Sequence, residues 1–187
     1  LRDTVDRLTE VATNADTWRS TIQTLAHQDP LTGLANRTQF QQRGGTALAG
    51  GGAVLFIDVD NFKDVNDRGG HAVGDQLLIR IAQELRTQVT AAVPTAVISR
   101  LGGDEFAAVL PGLDREAVTA LAEELVAALA IRTRVGRRTV RVSVSMGLAM
   151  AAPGAEFRDV LRAADDAMYA AKSNGRGRLH RHRSATA

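Results

Sequence analysis

A five-residue apolar run, Ala53-Val-Leu-Phe-Ile57, ends abruptly on Asp58, and this junction constrains the fold more than any other stretch. A short continuous apolar run is what a strand buried on both faces shows, because neither set of its alternating side chains meets water. Such a strand needs helices to cover it. Leu77, Leu78, Ile81 and Leu85 recur at helical spacing, as do Val118, Leu121, Leu125 and Leu129, and Phe157 to Lys172 reads as a third amphipathic helix ending near Gly175. Val97-Ile-Ser99 and Phe106-Ala-Ala-Val-Leu110 read as two further strands, and Val140 to Met150 alternates as a fourth. The expected order is β-α-β-β-α-β-α, the split βαβ layout of ferredoxin-like folds. The fold class is therefore α/β (α+β), helices packed on one central sheet.

The chain has 187 residues, enough for one ordinary domain and a short appendage. Hydrophobic residues at 44% and charged residues at 24% exclude a disordered tail, which would lack core material. Five Phe, one Trp and one Tyr leave Ala, Val, Leu and Ile to build the core. The absence of cysteine excludes disulfides and thiolate chemistry. No apolar run approaches the roughly 20 residues of a membrane span. The sequence opens on Leu1 rather than Met, so we read it as a piece of a longer protein, with no readable signal peptide.

Residues 1–27 read as a helix apart from the rest. Leu1, Val5, Leu8, Ala12 and Ala15 follow heptad spacing, and Trp18, Ile22 and Leu25 continue the stripe after a three-residue step. Either the helix dimerises as a coiled coil below an upstream domain, or it packs on its own domain. Asp29-Pro30 stops it, because the residue before a proline avoids the α region. Expected boundaries are 1–27 for the helix, 28–178 for the globular domain and 179–187 for a basic tail. Gly44-Gly45 and Gly50-Gly51-Gly52 precede no Gly-Lys-Ser/Thr, so they form no Walker loop and read as a mobile connection.

A net charge of +2 is too small to argue for nucleic acid, but the distribution is uneven. Asp58, Asp60, Asp64, Asp67 and Asp75 cluster against Lys63 and Arg68, whereas five basic residues and no acid lie between Lys172 and Arg183. Five arginines also crowd Arg132 to Arg141. An acidic cluster and a basic segment in one domain suit a metal and a phosphate group. Asp58 ends the first strand, and Asp104 and Glu105 sit on the tip of a hairpin expected beside it. The Arg100-Leu-Gly-Gly-Asp-Glu105 linker must turn tightly, with Gly102 and Gly103 free to take positive φ. Carboxylates gathered on adjacent strand ends repel one another unless a cation is present. Hard oxygen donors point to Mg²⁺ or Mn²⁺, and two such ions would suit phosphoryl or nucleotidyl transfer. Standing alone, the same hairpin would be a surface turn with two solvated acids.

Five motifs set it in a wider pattern. Arg100-Leu-Gly-Gly-Asp-Glu-Phe106 resembles the signature of the GGDEF family, the diguanylate cyclases. Asp29-Pro-Leu-Thr-Gly-Leu-Ala-Asn-Arg37 resembles the family's opening segment, and Phe56-Ile-Asp-Val-Asp-Asn-Phe-Lys-Asp-Val-Asn66 its metal strand and loop. Gly70-His-Ala-Val-Gly-Asp75 resembles the guanine-side motif, and Ala164-Asp-Asp-Ala-Met-Tyr-Ala-Ala-Lys172 with Gly175-Arg176 the C-terminal one. The resemblance implies a palm-type nucleotidyl cyclase fold, a mostly antiparallel sheet flanked by helices. It also implies an enzyme that condenses two GTP into cyclic di-3′,5′-GMP (c-di-GMP) and two pyrophosphates, across a homodimer, with two Mg²⁺ or Mn²⁺ ions per site. A cytoplasmic domain below a sensor is implied, making no contact of its own with nucleic acid or membrane.

Carried over residue by residue, the resemblance makes Asp58, Val59 (by its carbonyl), Asp104 and Glu105 metal ligands. Asp104 is the candidate base or proton relay for the attacking 3′-hydroxyl. Gly102 and Gly103 lie against the nucleotide, Phe62 and Lys63 line the triphosphate loop, where Lys63 acts catalytically by neutralising charge that develops on the phosphates, and Lys172 and Arg176 hold the β- and γ-phosphates. Asn66 and Asp75 read guanine, whose N1–H and N2 amino group one carboxylate can accept together. His71 is either a substrate neighbour or a turn-stabilising imidazole. Many family members carry Arg-x-x-Asp shortly before the Gly-Gly pair as a product-inhibition site. Here that stretch is Val93-Pro-Thr-Ala96, without charge, so no inhibitory site of this kind is expected. A silent module that binds GTP or c-di-GMP, or an enzyme of other base preference, is the alternative.

Overall fold

A computed structural model describes residues 26–182. The segment 1–25, which holds nearly all of the expected coiled-coil helix, lies outside the described residues. The elements run α1 (Arg37–Leu48), β1 (Gly52–Val59), α2 (Phe62–Gly69), α3 (His71–Ala92), β2 (Val97–Gly102), β3 (Glu105–Pro111) and α4 (Arg115–Ala128). They continue as β4 (Ile131–Val135), β5 (Arg138–Val142), β6 (Val144–Ala151), α5 (Phe157–Ser173) and β7 (Leu179–Arg181). One sheet has the order β2-β3-β1-β6-β7; β4 and β5 form a separate two-stranded ribbon.

Strand β1 is central and every one of its residues is buried. It pairs antiparallel with β3 on one side and β6 on the other, and β3 in turn pairs antiparallel with β2. β1 and β2 therefore run parallel with β3 between them, the split βαβ arrangement expected from the sequence. The only parallel neighbours in the described sheet are β6 and β7. Leu55, Ile57, Phe106 and Leu148 face α3 and α4, packing with Leu78, Ile81, Leu85 and Leu125. Val54, Phe56, Ala107 and Val109 face α1 and α5, packing with Phe40, Leu48, Val160 and Met168. This two-sided cover explains the unbroken apolar run.

Five expectations are corrected. Val140 to Met150 is not one strand. It breaks at Ser143, whose carbonyl accepts the Asp60 N–H at 2.9 Å and so turns the chain from the ribbon into the sheet. The Gly-rich stretch is no mobile connection: Gly44 and Gly45 lie within α1, and Gly44 is buried under the Phe157 ring. Residues 179–181, expected in a basic tail, pair with Met146, Gly147 and Leu148 as β7. Helices α1 and α2 and the β4–β5 ribbon have no counterpart in the expected order, and Phe62 and Lys63, expected on a loop, form the first turn of α2. Helix α1 starts where the Asn36 side chain accepts the Gln39 N–H at 3.0 Å, which satisfies one of the free donors of its first turn.

Candidate functional site

The antiparallel register places Asp58 of β1 directly opposite Glu105 of β3, so the two carboxylate-bearing residues share one end of the sheet. Val59 N–H donates to the Asp104 carbonyl at 3.2 Å and ties the hairpin tip to the same strand. Gly102 (φ 145°) and Gly103 (φ 52°) take the positive φ that the turn requires. No atom lies within 4 Å of where a side chain at either would begin, so the turn faces open space.

Arg100 braces this turn. Its Nε and a guanidinium nitrogen donate to the Gly103 carbonyl at 3.0 and 2.7 Å, and the remaining nitrogen reaches both oxygens of Asp29 at 3.1 and 3.0 Å. Asp29 also accepts from the Thr32 N–H and hydroxyl at 2.9 and 2.7 Å. Burial by itself would raise the Asp29 pKa, but the Thr32 bonds and the Arg100 charge outweigh it, and the value falls below the ordinary carboxylate range. The opening motif thus plays a structural part, anchoring the guanidinium that shapes the Gly-Gly turn.

Asp58 is only 5% exposed. Lys172, near the end of α5, places its ammonium 2.7 Å from the Asp58 carboxylate. Burial raises the Asp58 pKa to about 6; Asp104 and Asp60 add to the rise, and Lys172 only partly opposes it. Glu105 leans toward Arg37, the first residue of α1, at 3.4 Å. Arg37 also donates to the Leu101 carbonyl at 3.2 Å. Two carboxylates on the α1/α5 face of the sheet are therefore matched by two cations, Lys172 and Arg37. Among the described residues no three acidic or histidine side chains converge as a ready metal cluster. The donor set nevertheless suits a hard divalent cation. The oxygens it would use are those of Asp58, Asp104, Glu105 and the Val59 carbonyl, hard donors of the kind Mg²⁺ and Mn²⁺ prefer.

The raised Asp58 pKa sets a pH test. The folded protein binds a proton at Asp58 up to about pH 6, whereas the unfolded chain loses it near 3.8. Stability without metal should therefore fall as pH rises from about 4 to 6, by roughly 2 kcal/mol or several degrees in Tm. Thermal melts in a chelator should show this slope in the unaltered protein and lack it in Asp58→Asn. An identical slope in both would assign it to another group.

On the other side of β1, α2 and α3 carry the remaining candidates. Phe62 and Lys63 open α2 after Asn61, which adopts a left-handed conformation (φ 56°). Lys63, His71 and Asp75 are exposed, and Phe62 and Asn66 are half-buried. The Asn66 Oδ1 is buried without a hydrogen-bond partner. It sits against Gly74, where any side chain would collide with it. An unpaired buried acceptor is rare, and Gly74, which it abuts, is the residue just before Asp75. Arg176 is exposed, in a left-handed turn (φ 58°) just past α5.

The structure thus gathers Asp58, Val59, Asp104, Glu105 and Lys172 at one strand end, and Phe62, Asn66 and Asp75 around the α2–α3 corner. It shows no contact that joins Lys63, His71 or Arg176 to either group. Arg37, Asp29 and Arg100 lie inside motifs already noted, but the sequence gives them no role because their partners are distant along the chain.

The comparisons agree with this geometry. The family model described as "Diguanylate cyclase, GGDEF domain" matches residues 26–178. The chain is 38% identical to diguanylate cyclase TpbB of Pseudomonas aeruginosa, over 87% of this chain and 40% of that protein. It is 35% identical to cyclic di-GMP phosphodiesterase PdeR of Escherichia coli, over 84% of this chain and 24% of that protein. The coiled coil and GGDEF domain of DgcB from Caulobacter crescentus, solved with c-di-GMP, superposes with a TM-score of 0.80 at 29% identity, covering 94% of this chain and 97% of that one. The chain spans less than half the length of these two curated relatives. Through its family match, its sheet and its Gly-Gly-Asp-Glu turn, the chain belongs to the GGDEF family.

Proposed function

We propose that this domain is a diguanylate cyclase that joins two GTP into cyclic di-3′,5′-GMP and releases two pyrophosphates. The observation that carries the reading is the register of Asp58 opposite Glu105 beside an intact Gly-Gly-Asp-Glu turn. Asp58, the Val59 carbonyl, Asp104 and Glu105 would hold Mg²⁺ or Mn²⁺, two ions per site. When bound, the metal lowers the charge on the reacting phosphates and acidifies the attacking hydroxyl.

The chain's own groups do the rest. The 3′-hydroxyl of one GTP forms a bond to the α-phosphorus of the GTP on a second copy. The bond from that phosphorus to the bridging oxygen breaks, pyrophosphate departs, and the hydroxyl proton passes to Asp104. Lys63 and Arg176 neutralise charge on the triphosphate. Lys172, whose ammonium lies 2.7 Å from the Asp58 carboxylate, would bind the β- and γ-phosphates. Two copies must meet face to face because each holds one substrate. Residues 1–27 would act as the dimerising helix, 28–178 as the catalytic domain, on the cytoplasmic side of a longer signalling protein. The stretch Val93–Ala96 carries no charge, its Val93 is buried and its exposed members are Pro94 and Thr95, so product should not inhibit there through a guanidinium and a carboxylate.

Incubation with GTP and Mg²⁺ tests the reading: chromatography should show a cyclic dinucleotide and two equivalents of pyrophosphate. A second reading, a silent binding module, draws on the pairing of Asp58 and Glu105 with internal cations. Bound but unchanged GTP would decide for it.

Base choice gives a further prediction. The orphaned Asn66 acceptor and the nearby Asp75 supply two acceptors for the N1–H and N2 amino group of guanine, and adenine offers no such donor pair. Asp75→Ser should lower kcat/KM for GTP by about ten- to a hundredfold, the worth of a charge-assisted contact. Mixed product should appear when ATP and GTP are supplied together. Full GTP rate with unaltered selectivity would remove Asp75 from the pocket.

A further inference from the structure

Asp60 is a buried carboxylate beside the site that the proposed chemistry does not use. It follows Val59 at the end of β1 and is 3% exposed. No cation pairs with it among the described residues; three hydrogen-bond donors do. Its Oδ1 accepts from the Ser145 hydroxyl at 2.7 Å. Its Oδ2 accepts from the Ser143 hydroxyl at 2.6 Å and from the Gly177 N–H at 2.9 Å. Asp60 thereby joins the metal strand, the β5–β6 junction and the loop after α5.

The third of these has a consequence. The loop holds three successive positive φ values, Gly175 at 108°, Arg176 at 58° and Gly177 at 60°. For Arg176 this left-handed conformation is unfavourable, because its Cβ crowds the following carbonyl. Something outside the residue must hold it. On the α5 side, the Arg176 N–H donates to the Ala171 carbonyl at 3.1 Å. On the other side, the next N–H, that of Gly177, is fixed by Asp60. A side chain at Gly177 would crowd this contact, since its first carbon would lie 3.3 Å from the Ser143 hydroxyl.

We propose that Asp60 is a positioning residue that latches the loop after α5 to the end of the metal strand and holds Arg176 in the left-handed turn from which it meets the substrate phosphates. The proposal rests on the reading of Arg176 as a phosphate-binding residue. A carboxylate suits this role because its two oxygens can receive three donors from two directions.

The test compares Asp60→Ala, Asp60→Asn, Arg176→Ala and the double variant Asp60→Ala/Arg176→Ala. In Asp60→Ala the Gly177 amide should exchange with solvent about tenfold faster while the amides of β1 and β6 keep their protection. KM for GTP should rise about tenfold at saturating Mg²⁺, with kcat changed by less than about threefold. Asp60→Asn should restore most of the KM, because one oxygen still accepts from Gly177 and the Ser145 hydroxyl can reverse to accept from the amide. The double variant should have the KM of Arg176→Ala alone, since Asp60 acts through Arg176. Additive effects, or a defect that excess Mg²⁺ removes, would overturn the proposal, the latter by showing that Asp60 acts on the cation. An unchanged KM in Arg176→Ala would instead overturn the phosphate reading, and Gly177 exchange would still report whether the latch exists. If Asp60→Ala does not fold, Ser143→Ala/Ser145→Ala keeps the carboxylate and removes two of its donors. That variant should speed Gly177 exchange and raise KM about threefold, and no change in either would overturn the latch.

Discussion

Glu105→Gln should slow formation of the cyclic dinucleotide at least about a hundredfold, the usual loss when a main electrostatic stabiliser of transition-state charge is removed. Gln keeps the shape of Glu and one acceptor oxygen but withdraws a negative charge from a site that already holds Asp58 and Asp104. The fold should survive, because the pair that Glu105 makes with Arg37 is 3.4 Å long and partly exposed, a geometry that contributes little to stability. Two measurements separate chemistry from folding. Far-ultraviolet circular dichroism and the unfolding midpoint in a chelator should match those of the unaltered protein. The rise in midpoint that Mg²⁺ gives the unaltered protein should shrink, since a ligand that binds only the native state stabilises more the tighter it binds. Turnover near normal would take Glu105 out of the metal set, whatever the register with Asp58 suggests.

The parts of the molecule legible in the sequence are those where one local signal decides. Ala53 to Ile57 reads as a central strand because both of its faces are covered, and the Gly102-Gly103 turn reads as a hairpin because only glycine accepts those φ values cheaply. The β4–β5 ribbon is hidden for the opposite reason. Its inward anchors Ile131, Val135 and Val142 are spaced among five arginines, and the apolar alternation of β5 runs on through Ser143 into β6. Only the long-range bond from Asp60 breaks that run. Helix α1 carries its buried face on Phe40, Gly44 and Leu48, and two of its glycines imitate a loop. At the site, the acids are legible from the strand ends, but their counter-charges are not. The family resemblance gives Lys172 to phosphate and Arg37 to nothing, and neither pairing has a local sequence signal. The Asp29–Arg100 clamp spans 71 residues and appears only when the opening segment lies along β2.

Gly147→Ala should destabilise the domain more than any exchange at a site residue, by about 3 kcal/mol or more, near the upper end of what overpacking a core costs. Gly147 lies in β6 between Phe56 of β1 and His180 of β7, on the face that receives α5. A side chain there would run into the Ala164 carbonyl oxygen and the Met168 amide nitrogen, with the Ala167 carbonyl carbon 2.9 Å away. These are backbone atoms of one helix, so no rotamer change makes room and α5 must move as a unit. The backbone of Gly147 itself is not in the left-handed region, so Ala brings no torsional strain and the loss is one of packing. Gly44→Ala offers the contrast: the atoms nearest its new methyl all belong to the Phe157 ring, a side chain rather than backbone, and a smaller cost follows. Helix α5 carries Lys172 in its last turn, so its retreat would also draw the ammonium away from Asp58 and displace the loop that carries Arg176. Urea unfolding should show the stability loss, and the fraction that remains folded should have lower activity than Gly44→Ala at equal folded concentration. Wild-type stability in Gly147→Ala would mean that α5 can slide on the sheet. The close seating that brings Lys172 to Asp58 would then be a preference of the resting state rather than a constraint built into the fold.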